Sequence, residues 1–304
     1  MSPIQIRLGG YGPSETSHSR ALLSIAERLR HDLGDAVQVE IDYNILDSGR
    51  PAHELLDDVE AGRVTAAYFS TSYLAARVPE LAVIDLPYIF TSLEHAHRSL
   101  DGELGRILSE RTRATTGLDP LGYWDNGFRH LTTRDRQVRR PSDCQGLRVR
   151  LQPNWAHQYF FEALGAIPVP TDLRDGMAMI KSGAVDAQEN PLANFVAYGV
   201  DRVHHHLTLT AHAYGARGLY LSSRQSQSWP AGVRDAFASA VGAAILEQRM
   251  TAARDERELL VQLVAAGTRV VDPPPEELDA FRVLAGPVTE RAKDELGGAL
   301  LRLI

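Results

Sequence analysis

The stretch from Gln145 to Asn194 limits the choice of fold more than any other part of the chain. Leu147, Val149 and Leu151 alternate with Arg148 and Arg150, which predicts a strand with both arginines on one face. Trp155, Tyr159, Phe160, Ala163 and Leu164 follow at helical spacing, and Gly165 stops the helix. A short apolar strand is expected over 167–170. Asp172 then stands where an N-cap belongs, with Asp175 three residues on, an acidic variant of the capping box. The next helix carries Met177, Met179 and Ile180 and stops at Gly183; 185–188 reads as a strand, and Glu189-Asn190-Pro191 as a turn. Strands and helices alternating with short connections make an open parallel sheet. Such sheets take ligands at the carboxyl ends of their strands, where Arg150 and Asn190 both fall.

The first half repeats part of this pattern. A strand at 5–8 runs into a Gly-rich loop, Gly9 to Gly12, that opens a helix with an apolar stripe of Ala21, Leu22, Ile25, Ala26 and Leu29. The loop has neither GxGxxG nor GxxxxGK spacing, and Glu15 would repel a phosphate. A ligand-facing loop fits better, with Glu15, Ser14, Thr16, Ser17 and His18 as polar contacts. After a strand at 37–43, a helix with Leu55, Leu56 and Val59 closes at Gly62 and a third strand covers 65–69. EAGRVTA at 60–66 echoes KSGAVDA at 181–187: helix end, glycine, then a short strand. Ser70 and Tyr73 follow the third strand and are candidates for a ligand site. A helix is expected over 93–113. Further on, strands at 121–124, 207–210 and 219–222 are expected, with a turn at Asp125-Asn126-Gly127. A long helix covers 230–267, and the last helix about 276–301 after Pro273-Pro274-Pro275.

Composition excludes some functions. With 32 Lys and Arg against 39 Asp and Glu, the net charge of −7 argues against nucleic-acid binding, which needs clustered cations. Hydrophobic residues make up 44% of 304, enough for two cores. One cysteine, Cys144, allows neither an internal disulfide nor a Cys-based metal site. His204-His205-His206 alternate faces on a strand, so no metal is expected there. GxSxG, HExxH, CxxC and Walker sequences are absent, so neither an enzyme nor a cofactor is expected.

Three runs, GLRVR, ALGAIPVP and GAVDAQENP, with NGFRHLTT at 126–133 and PELAVIDLPYIF at 79–90, resemble the DctP-type solute-binding proteins of TRAP (tripartite ATP-independent periplasmic) transporters. The resemblance covers nearly the whole chain. It implies a two-lobed α/β, periplasmic-binding-protein-like fold, each lobe an open mostly parallel sheet flanked by helices, with the helix at 230–267 bracing both. The lobes expected are 1–126 plus about 212–250, and 127–211 plus about 251–304, with a ligand cleft between them. It implies a periplasmic protein whose precursor leader is missing here, and the membrane subunits of a TRAP transporter as partners. A cytosolic protein as written, an enzyme acting on a carboxylate substrate, or a ligand-sensing subunit are the alternatives.

Arg150 is the leading site residue, because a guanidinium offers paired donors that match a carboxylate. The resemblance implies the same role for Arg150, a second contact to the acid for Arg129, and a ligand-facing amide for Asn190. Gln152, Asp175, Met177 and Ala187 stand where the family commonly has Pro, Glu, Tyr and Gly. Trp155 and Tyr214 either stack on a ligand or pack in the core. The ligand expected is a small carboxylate: a dicarboxylate, a keto or hydroxy acid, a sugar acid or an aromatic acid.

Overall fold

The computed structural model describes residues 2–304. In chain order the elements are β1 (Ile4–Gly9), α1 (Ser17–Leu33), β2 (Val37–Asp42), α2 (Glu54–Glu60), β3 (Ala66–Ser70), α3 (Thr71–Leu74), α4 (Leu93–Asp101), α5 (Glu103–Thr115) and β4 (Leu118–Thr133). There follow β5 (Arg148–Leu151), α6 (Trp155–Ala163), β6 (Ile167–Pro170), α7 (Leu173–Ser182), β7 (Ala187–Asn190), α8 (Leu192–Ala197) and β8 (His206–Ser222). The chain ends with α9 (Ser223–Ser226), α10 (Ala231–Ala265), β9 (Arg269–Val271), α11 (Pro275–Ala292) and α12 (Gly298–Leu301).

By internal contacts the chain forms two compact units. The first holds the residues up to Ser70 with Gly105–Asp125 and Arg217–Ala253; the second holds Thr71–Leu104, Asn126–Ala216 and Arg254–Ile304. Residues 71–104, expected in the first lobe, group by contact with the second unit. In the first unit β2, β1 and β3 run parallel, and the end of β8 lies antiparallel on β3. In the second, β6, β5 and β7 run parallel and β4 lies antiparallel on β7.

The echo seen in the sequence is therefore a repeat of wiring. Gly62 and Gly183 both take positive φ, +73° and +78°, where a side chain is strained. Beyond each, one residue links two strands. The Thr65 N–H donates to the Arg7 carbonyl at 2.8 Å, and its carbonyl accepts from Ser222 N–H at 2.8 Å. The Asp186 N–H donates to the Arg148 carbonyl at 2.9 Å, and its carbonyl accepts from Arg134 N–H at 3.0 Å.

Each unit has its own core. In the first, the stripe of α1 (Leu22, Ile25, Leu29) is buried, as are Ile6 and Leu8 of β1 and Leu55 and Val59 of α2. In the second, Ile180, Val185, Leu192, Phe195, Val200, Leu207 and Leu263 cluster. Each such side chain contributes roughly 1.5–3 kcal/mol by leaving water.

Several local expectations are corrected. The strand and turn expected at 121–127 are one 16-residue strand, Leu118–Thr133. Gly122 (φ +145°) and Gly127 (φ +106°) absorb the bend that the Asp-Asn-Gly sequence signals, so the strand does not break. Likewise the runs at 207–210 and 219–222 are parts of one strand, His206–Ser222. The helix expected over 93–113 divides at Gly102 into α4 and α5. Asp172 precedes α7 but makes no side-chain cap, so the capping box does not form. The last helix gives way after Ala292 to a π-helical turn, Lys293–Gly297, ended by Gly297 at φ +83°.

Candidate functional site

Arg150 is the third residue of β5 and lies in the middle of a parallel ladder, opposite Val169 of β6 and Gln188 of β7. Val149 and Leu151 are fully buried, and Arg150 itself is only 1% exposed. Arg148, on the same strand, is exposed and is paired with Asp186 at 2.7 Å. The Arg150 guanidinium points back over the start of α7. Its Nε donates to Thr171 Oγ1 at 3.3 Å, and its Nη2 donates to the Thr171 carbonyl at 2.8 Å and to Tyr73 Oη at 3.0 Å. Among the described residues its Nη1 has no acceptor, and no carboxylate pairs with it. Buried charges are ordinarily paired, because isolating one from water is costly.

Arg129 of β4 is equally buried but is answered from within. Glu189 of β7 receives two of its donors, from Nε and, at 2.7 Å, from Nη2. Nη2 also reaches the Glu189 carbonyl at 2.9 Å and Asn190 Oδ1 at 3.3 Å. Burial alone would raise the Glu189 pKa, but the charge of Arg129 and hydrogen bonds from Arg129 and His212 outweigh it and hold the carboxyl far below its usual range. A His212 ring protonated on Nε2 donates to Glu189 at 3.3 Å while its Nδ1 accepts from Thr210 Oγ1 at 2.8 Å.

A second buried carboxylate, Asp85, accepts from Ser72 Oγ at 2.6 Å and from Asn154 Nδ2 at 3.0 Å. Asn154 caps α6 by accepting from Ala156 N–H at 2.8 Å. Burial pushes Asp85 up to about 7. His157, on α6, stands with Nε2 3.7 Å from Asp85 and Nδ1 3.9 Å from Glu189, neither a hydrogen bond. Burial, with the nearby charges of Arg129 and Arg150, pushes its pKa down to about 3, so it is neutral near pH 7.

The second unit thus brings together four of the sequence candidates. Tyr73 touches Arg150, and Asn190 touches Arg129. The Asn190 amide is also engaged, donating to Gln188 at 2.7 Å and accepting from Asn194 at 3.2 Å. Tyr214 packs edge-on against Phe90 and Phe128. Trp155 meets Tyr159 edge-on and lies 5.8 Å from the Arg291 guanidinium. Glu15 and Ser70 belong to the first unit; Glu15 is exposed and accepts from Ser14 at 2.8 Å. The sequence reading missed Asp85, His157, Thr171 and His212. Glu189 and Asn190, read from the sequence as part of a turn, lie in β7, where pairing with β4 brings Glu189 to Arg129.

The family described as bacterial extracellular solute-binding protein, family 7 (DctP), matches residues 9–295. A solute-binding protein of Verminephrobacter eiseniae is 28% identical over 96% of this chain and 86% of its own. A TRAP periplasmic solute-binding protein of Polaromonas, solved bound to D-erythronate, is 26% identical with a TM-score of 0.91, covering 98% of this chain and 97% of that one. Another, of Sulfurospirillum deleyianum with bound succinate, is 25% identical with a TM-score of 0.93 over 99% and 98%. The fold is that of the two-lobed periplasmic binding proteins, in which sheets flanked by helices support a long helix late in the chain. The chain belongs to the DctP family of extracellular solute-binding proteins, and is therefore not an enzyme. No helix among the described residues is long and apolar enough to cross a membrane.

Proposed function

We propose that this protein captures a small organic acid in the periplasm by pairing its carboxylate with Arg150, and delivers it to the membrane subunits of a TRAP transporter. The observation that carries this reading is the contrast between the two buried arginines. Arg129 has a carboxylate of its own in Glu189, whereas Arg150 has none among the described residues and keeps Nη1 without an acceptor. A carboxylate from a ligand supplies the missing countercharge, and in a dry site such a pair is stronger than on the surface. The two related structures hold D-erythronate and succinate, both of which carry a carboxylate. Tyr73 and Thr171 fix the guanidinium before the ligand arrives, which lowers the ordering cost of binding.

The test is a thermal-shift and calorimetry screen of small organic acids, D-erythronate and succinate included, on wild type, Arg150→Ala and Arg150→Lys. A ligand at about a hundredfold its Kd stabilises the protein by about 2.7 kcal/mol. Stabilisation by acids, lost in Arg150→Ala and weakened in Arg150→Lys, supports the reading. Equal responses from all three proteins would remove it.

A further inference from the structure

We infer that Gly176 is a positioning residue that sets where the Arg150 guanidinium lies. This rests on the carboxylate role of Arg150. Gly176 sits inside α7, with its N–H bonded to the Asp172 carbonyl at 2.9 Å. Its φ lies outside the positive range, so any residue fits the backbone there. Glycine inside a helix weakens it, so the reason for glycine has to be sought in space. A Cβ at this position would lie 2.3 Å from Arg150 Nε, 2.9 Å from Thr171 Oγ1 and 3.1 Å from Arg150 Cδ. The guanidinium and the end of its stem therefore lie directly against the bare backbone of α7. That approach is what lets Nε reach Thr171 Oγ1 and Nη2 reach the Thr171 carbonyl. A methyl group at 176 must push the Nε end of the fork away, breaking its bond to Thr171 and moving the remaining donors out of register.

The arrangement also makes Gly176 a determinant of how deep an acid can sit. With the arginine drawn back against the helix, the carboxylate position follows it. Selectivity among acids of different length is then set partly by a residue that never touches the ligand.

The test compares wild type, Gly176→Ala, Arg150→Ala and the double variant. Crystal structures of wild type and Gly176→Ala read the position itself. The expected result is a guanidinium displaced by on the order of 1 Å, with its Nε bond to Thr171 lost. An unmoved Arg150 overturns the inference. Calorimetry with D-erythronate and succinate should show about tenfold weaker binding in Gly176→Ala, the loss of one hydrogen bond to a charged group. Its ligand-free melting temperature should fall only slightly, the helix preference of alanine offsetting part of the lost hydrogen bond. In the Arg150→Ala background the same change should have no further effect on binding. If Arg150→Ala binds these acids like wild type, the carboxylate reading fails, and the pair of crystal structures still judges Gly176. If Arg150→Ala loses binding and Gly176→Ala does not, the inference about Gly176 alone fails. Should Gly176→Ala be recovered unfolded, return of the fold in the double variant supports the contact, and failure to return overturns it.

Discussion

Arg129 and Glu189 form a two-pronged ion pair on adjacent antiparallel strands, with both side chains at most 1% exposed. Neither has bulk water to fall back on. Removing one partner leaves a buried charge unanswered, which costs about 3–5 kcal/mol. Arg129→Ala is therefore expected to lose that much in denaturant unfolding. Replacing both residues by apolar ones of similar volume should cost far less. A double-mutant cycle checks this, and equal losses would mean that the pair does not act as a unit.

Glu189 and Asp85 should contribute to stability with opposite dependence on pH. Glu189 is held below its unfolded value of about 4.3, so its contribution is present above that pH and is lost progressively as pH falls from there through its lower folded value. Asp85 is raised, chiefly by burial, to about 7. Between about pH 4 and pH 7 the folded chain holds a proton there that the unfolded chain has lost. The contribution of Asp85 should therefore fall as pH rises across that window, by on the order of a few kcal/mol, against the opposite slope of buried His157, His130 and His204, each pushed down to about 3 chiefly by burial. Asp85→Asn should remove that falling component, so that the melting temperature of the variant rises relative to wild type between pH 4 and 7; a constant difference across that range would show that Asp85 does not titrate this way.

Tyr73 supplies the hydroxyl that accepts from Arg150 Nη2 at 3.0 Å. Tyr73→Phe keeps the ring and removes the acceptor. Acid binding should weaken by about tenfold with roughly 1.5–3 kcal/mol lost in stability, since the bond involves a charged donor. Isothermal titration against wild type reads the first effect and urea unfolding the second.

Ala211 takes φ +43° inside β8, just before His212. That conformation costs an ordinary residue about 1–2 kcal/mol and a β-branched one more. Ala211→Gly should be neutral to slightly stabilising, and Ala211→Val should lose about 2 kcal/mol or more. Ranking the three melting temperatures is sufficient; valine equal to alanine would contradict the assigned strain.

Cys144 is fully buried, and burial with a contribution from Asp143 pushes its thiol up to about 12. The thiolate is the reactive form. A thiol reagent at pH 8 should leave the native protein unlabelled and modify one group per chain in denaturant.

Much of the fold was legible because it is local. The β-α-β-α-β run at 145–194 and the two glycines that end helices rest on periodicity and on φ, both carried by short segments. The long strands β4 and β8 were not, because Asp125-Asn126-Gly127 reads as a turn and the runs at 207–210 and 219–222 read as separate strands, whereas in the fold the chain stays extended through each. In the site, Arg150 stood out by its place on β5. Its dependence on Gly176 and Thr171 did not, since helix packing creates that contact. Asp85 and His157 were hidden because nothing in their own neighbourhoods announces that they meet.

The repeat of wiring gives one strand position two histories. Counted five residues back from Ser222 and from Arg134, the equivalent positions hold Arg217 and Arg129. Arg217 lies 4.8 Å and 5.4 Å from the ring centres of Tyr11 and Tyr68, while Arg129 grips Glu189. The cation is common to both halves, and its surroundings have parted. Kinship between the halves is thus written in hydrogen-bond addresses and barely in the alphabet, so a letter-by-letter alignment of one half on the other would pass over it.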